Sequence, residues 1–148
     1  MEVKNLFDTS VKKEIIDRIN KLSPQTLRQW GKMDVAQMLA HCQMPMGVAL
    51  GKHKLKGSFI IKLLGPFFKK TLYNDKPFKR SLPTDKSFVI TDAKDFEKEK
   101  NSLIDMINSF TEGNMTSEPH PFFGKLTKEE WSKGTYKHLD HHLQQFGV

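Results

Sequence analysis

LTKEEWSKGTYKHLDHHLQQF, residues 126–146, reads as one amphipathic helix that carries its own start signal. Thr127 is a good N-cap, Glu130 completes a capping box, and Leu126 and Trp131 flank the start as a hydrophobic staple. The spacing predicts a helix to about Phe146. Each helical residue advances by about 100°, so with Trp131 at zero, His138 falls near ~340°, His142 near ~20° and Phe146 near ~60°. Trp131, Leu139 and Phe146 are apolar side chains of this helix, so their stripe is the buried one, and His138 and His142 point inward with it. Gln145 sits at its edge. Asp140, near ~180°, points away and reads as a solvated surface charge.

Working outward, three more long helices emerge. Val11, Ile15, Ile19 and Leu22 recur at helical spacing after Asp8, a good N-cap, and Ser23-Pro24 stops that run. Asp34 begins a second helix: Gln37 completes a capping box, Met33 can staple onto Met38, and Val35, Met38, Leu39, Cys42 and Met46 form the stripe, with Pro45 kinking or ending it. A third starts near Asp92, buries Phe96, Leu103, Ile107 and Phe110, and runs out at Gly113-Asn114. Between the second and third lies an irregular stretch. SFIIKLLGPFFKKTLY, residues 58–73, is densely apolar but broken by Gly65-Pro66, which predicts one or two short helical pieces, and a short strand pair within 74–91 is an open alternative. Residues 113–126 form a loop containing the unusual apolar pair Phe122-Phe123.

The fold class that follows is all-α, a four-helix bundle, because each apolar stripe must be covered by another helix. A chain of 148 residues suits one domain, residues 1–148. The single cysteine, Cys42, rules out an intrachain disulfide and any multi-cysteine metal site. With no signal-peptide stretch and no apolar run of membrane-spanning length, a cytoplasmic location is the default expectation. The net charge of +7 is uneven: residues 52–80 hold nine basic side chains against Asp75 alone, leaving the rest of the chain at −1. No recognisable nucleic-acid-binding motif accompanies it, so no nucleic-acid partner is expected.

Two imidazoles at i and i+4 inside an apolar bundle cannot both be desolvated cheaply without hydrogen bonds or a metal ion. A borderline divalent ion, zinc or nickel, takes neutral imidazole nitrogen as ligand. A third ligand has to come from a facing helix, where His41 lies beside the apolar stripe. Pro45 offers no N–H to its carbonyl and so breaks the helical ladder there. Each histidine also has a plainer reading, His41 as a polar residue on a helix flank and the pair as a chance spacing.

The segments MDVAQMLAHC (33–42) and KHLDHHLQQF (137–146), set on the second and last helices, resemble those of the DinB/YfiT-like superfamily of metalloenzymes. In that superfamily one histidine late in the second helix and an H-x-x-x-H pair in the last bind the metal, which carries over to His41, His138 and His142. The fuller pattern H-x-x-H-H-x-x-Q, here His138, His141, His142 and Gln145, is similar as well. HPFFG, residues 120–124, is similar to a His-Pro-x-Phe-Gly turn in one branch without an established activity.

The resemblance implies a DinB-like bundle with the basic, apolar segment inserted between its second and third long helices. It also implies a small-molecule metalloenzyme, either a transferase using a low-molecular-weight thiol or a hydrolase, and related bundles often pair as homodimers. Three neutral imidazoles leave the ion's charge uncancelled, so a bound thiol or water becomes a nucleophile near neutral pH. No carboxylate stands out as a general base. His141, Gln145, His120 and Trp131 are candidates for the second shell or the pocket, with exposed helix flank or solvated loop as the plain alternatives for His141 and His120. The rival function is a non-enzymatic module that binds a small ligand or an anionic surface through segment 52–80, whose lysines interleave with Phe59, Ile60, Phe67 and Phe68.

Overall fold

The computed structural model of the chain describes residues 1–54, 65, 67–82 and 84–148. Among these residues there are four α-helices and no strand: α1 (Thr9–Asn20), α2 (Val35–Ala49), α3 (Phe96–Ser109) and α4 (Lys128–Gln145), with 3-10 turns at Lys69–Leu72, Lys86–Phe88 and Glu112–Asn114. Of the short helical pieces expected within 58–73, the Lys69–Leu72 turn is present, while residues 58–64 and 66 lie outside the described residues. No described helix is long and apolar enough to cross a membrane.

Local signals account for most helix starts. Thr127 accepts from Glu130 N while Glu130 returns a bond to the Thr127 N–H, and Asp34 and Gln37 make the same reciprocal pair. α3 departs from expectation. Its cap is Asp95, which accepts from Lys98 N at 2.7 Å, whereas the Asp92 carboxylate pairs with Lys94 and its carbonyl accepts from Gln37 of α2. The helix also stops earlier, with Phe110 as C-cap and the Glu112–Asn114 turn beyond it. Pro45 does not end α2, which continues to Ala49 because Met46, Val48 and Ala49 are all buried in the core. In place of a strand pair within 74–91, Asp85 accepts from Ser87 N and closes the Lys86–Phe88 turn.

The core is one cluster to which every helix contributes. Ile15 and Ile19, Met38 and Leu39, Leu103 and Ile107, and Leu139 and Leu143 are all essentially inaccessible to water. α2 lies against both α3 and α4, so His41 and the last helix face each other across the middle of the protein.

The stretch between α2 and α3 is fastened to α4 by a lysine. Lys137 is fully buried, donates to Thr71 O at 2.7 Å and to Asn74 O and Oδ1 at 2.9 Å, and lies over the Phe78 ring. Burial lowers its ammonium to about 8, so three oxygens hold a charge that would otherwise stay in water. Next to it Gly134 lets Leu72 close onto α4, since a Cβ there would stand 2.8 Å from Leu72 Cγ. This docking brings residues 78–82 and 84–90 to the cavity that the histidines line.

Candidate metal centre

His41 from α2 and His138 and His142 from α4 converge, each offering a nitrogen within 4.8 Å of the others. Their ring centroids are 4.5 to 5.0 Å apart. The i, i+4 spacing places the α4 pair on one face, and the packing of α2 on α4 supplies the third ring. The closest approach, His41 Nε2 to His138 Nε2, is 3.2 Å. A tetrahedral ion with Zn–N bonds of ~2.0–2.1 Å separates its nitrogens by about 3.3 Å, so this pair already has the required spacing.

Hydrogen bonds fix which nitrogens are bare. His41 Nδ1 donates to the Phe88 carbonyl at 2.8 Å, which leaves Nε2 as a lone pair directed at the cluster. His142 Nδ1 donates to Gln145 Oε1 at 2.8 Å, and the Gln145 amide is itself oriented because its Nε2 donates to Trp30 O at 2.8 Å. Gly31, at φ +83°, passes so close to Gln145 Nε2 that a Cβ there would collide with it. Two of the three rings thus have their far nitrogen engaged, the arrangement that orients histidine ligands.

All three rings are held neutral. Burial pushes His142 down to about 3 and lowers His41, while His138 is lowered well below the ordinary range by burial and then by the neighbouring histidines. Neutral imidazole is the form that binds a metal. Cys42, next to His41 on α2, is buried, its thiol is pushed up by that burial, and it is not one of the three clustered groups.

A cavity of about 550 Å³ opens onto the cluster. Its walls are mostly apolar: Trp30 and Met33 from the α1–α2 connection, Leu72, Phe78, Leu82, Phe88 and Ile90 from the stretch between α2 and α3, and Phe122 and Phe123 from the loop before α4. A second cavity of about 580 Å³, lined by Arg80, Asp140 and Gln144 among others, shares the wall formed by Trp30, Phe78 and His141.

The remaining sequence candidates divide. Gln145, at the edge of the stripe, accepts from His142 Nδ1. His141 lines the cavity between Trp30 (5.7 Å) and Phe78 (5.8 Å) and makes ring contact with His142 at 5.1 Å, so it is a wall residue. His120 also lines the cavity, with Trp131 stacked behind it at 5.0 Å and no part of the wall itself. Asp140 points away from the ligands as expected but is not solvated. It is 7% exposed and pairs with Arg18 of α1 at 2.8 Å, because α1 covers that side of α4. Asp85, overlooked in the sequence, is a carboxylate on the cavity wall, with Oδ1 already engaged by Ser87. The Phe88 and Trp30 carbonyls were also missed, since no side-chain pattern marks them.

Residues 2–147 match the family described as "Protein of unknown function (DUF1569)", and the chain belongs to that family. No curated protein and no solved structure matches the chain.

Proposed function

We propose that this DUF1569 protein is a divalent-metal-binding protein with His41, His138 and His142 as ligands, on a DinB/YfiT-like four-helix bundle. The observation that carries the reading is the convergence of three neutral imidazoles, two of them tied through Nδ1 so that Nε2 is bare. Zinc and nickel fit this nitrogen donor set best.

A bound ion would be held by His41, His138 and His142 and would supply Lewis acidity beside the cavity. The chain's own residues do the rest. Phe88 O and Gln145 hold two rings in the ligating tautomer, burial keeps all three uncharged, and Trp30, Phe78, Phe122 and Phe123 surround a small molecule with apolar surface. A metal-dependent transferase using a low-molecular-weight thiol, or a hydrolase, is the activity that agrees with this arrangement and with the superfamily resemblance. The rival reading, an anionic-surface module built on 52–80, has less support. Lys69 pairs with Glu130 at 2.8 Å, Arg80 stacks on Trp30 at 4.4 Å, and both therefore serve the fold. Among the described residues, exposed Phe67 and Phe68 and the exposed Lys52, Lys54, Lys70, Lys76 and Lys79 stand in its favour.

The test is anomalous diffraction from crystals grown with zinc or nickel. A peak about 2 Å from the three Nε2 atoms is expected. Metal bound only elsewhere, with the three rings unliganded, would overturn the assignment.

A further inference from the structure

His120 is built differently from a solvated loop histidine. Its backbone closes a tight turn, with His120 N donating to Gly124 O at 2.8 Å and Gly124 N to His120 O at 3.0 Å, and Gly124 takes the left-handed φ of +73° that the turn needs. Inside that turn the side-chain Nδ1 accepts from the N–H groups of Phe122 (3.0 Å) and Phe123 (3.2 Å). Backbone N–H groups only donate, so Nδ1 carries a lone pair and the neutral ring must hold its proton on Nε2. Trp131 at 5.0 Å and Phe123 at 4.7 Å fix the ring plane. Burial lowers the ring to about 4, which keeps it uncharged at neutral pH.

Among the described residues Nε2 has no hydrogen-bond partner, and no fully buried side-chain nitrogen or oxygen is left unpaired, so Nε2–H reaches accessible space. His120 lines the apolar cavity that the three clustered histidines also line. A rigid donor in an apolar wall recognises an acceptor, because leaving it unpaired against a ligand costs free energy. We propose that His120 is a specificity-determining residue: its Nε2–H receives the second oxygen of an apolar small molecule whose metal-binding group is a carboxylate. This rests on the metal reading. A carboxylate brings one oxygen for the ion and another for His120, and its charge complements a centre whose protein ligands are all neutral. A thiolate of the same body satisfies only the ion.

Phenylacetate and phenylmethanethiol share one benzyl group and differ in that second oxygen, so they are the probes, titrated against cobalt-loaded protein by its visible absorption. His120→Asn is the variant of choice, because Asn Oδ1 takes the place of Nδ1 under the two backbone N–H groups while nothing replaces Nε2–H. The Kd for phenylacetate should rise roughly tenfold, the loss of one charge-assisted hydrogen bond, and that for phenylmethanethiol should change less than about twofold. Equal effects on both probes, loss of cobalt uptake by the variant, or no binding of phenylacetate to the unaltered cobalt protein would overturn the proposal. A second measurement needs no variant: in zinc-loaded protein the His120 Nε2–H resonance should move when phenylacetate binds and stay when phenylmethanethiol does. A resonance unmoved by bound phenylacetate refutes it. Failure of the unaltered chain to take up cobalt instead refutes the metal site beneath it.

Discussion

Replacing Gln145 by leucine removes a side chain that joins His142 to the α1–α2 connection. Gln145 is 4% exposed, its Oε1 accepts from His142 Nδ1 at 2.8 Å, and its Nε2 donates to Trp30 O at 2.8 Å. Leucine is close in volume, so packing survives while a buried imidazole N–H and a carbonyl lose their partners. Each such loss costs about 1–3 kcal/mol, and the leucine's own burial offsets part of it, so metal-free protein should lose roughly 2–4 kcal/mol in urea unfolding. Freed from its tautomeric bond, His142 should bind metal about 10- to 100-fold more weakly, measured by zinc competition against a chromogenic chelator. Gln145→Glu keeps an acceptor for Nδ1 and should retain most of the zinc affinity. Zinc affinity unchanged in Gln145→Leu would refute the orienting role, whatever happened to stability.

Asp140→Asn should cost about 1–2 kcal/mol in denaturant, because it leaves the part-buried Arg18 guanidinium without its counter-charge, yet leave zinc affinity intact, since the carboxylate points away from the three histidines; weakened zinc binding would contradict that geometry. His120 titrates near 4 in the folded protein against 6.5 in the unfolded chain, so below pH 6.5 the unfolded state takes up the extra proton and stability falls as pH drops. Metal-free protein should therefore lose about 2 kcal/mol more between pH 7 and 4.5 than His120→Asn does; parallel pH profiles would show that this ring is not buried neutral. A Cβ at Gly65 would run into the Phe122 carbonyl, so Gly65→Ala should destabilise the protein by about 1–3 kcal/mol and disturb the 120–124 turn, read as a shifted His120 ring resonance, whereas an unchanged spectrum would place Gly65 elsewhere.

The parts of this architecture that were legible are those written in short range. The Thr127–Glu130 and Asp34–Gln37 boxes involve residues three apart, and the inward direction of His138 and His142 follows from helical period alone. Asp92 and Asp95 are equally good caps by local chemistry. Only the contacts of Asp92 with Gln37 and Lys94 decide between them. Asp140 was misread because its partner, Arg18, lies 122 residues away, and Lys137 gave no warning because its acceptors are in the irregular insertion. His41 could be placed beside a stripe but not aimed. Its direction depends on the Phe88 carbonyl, which the Lys86–Phe88 turn delivers from another part of the chain.

Elemental analysis of protein purified without added metal tests the central claim most directly. Nearly one zinc or nickel ion per chain is expected, and a His138→Ala/His142→Ala variant that is still folded should contain none, because it removes the two nitrogens that α4 contributes. A metal-free preparation whose unfolding midpoint is the same with and without added zinc or nickel would contradict it.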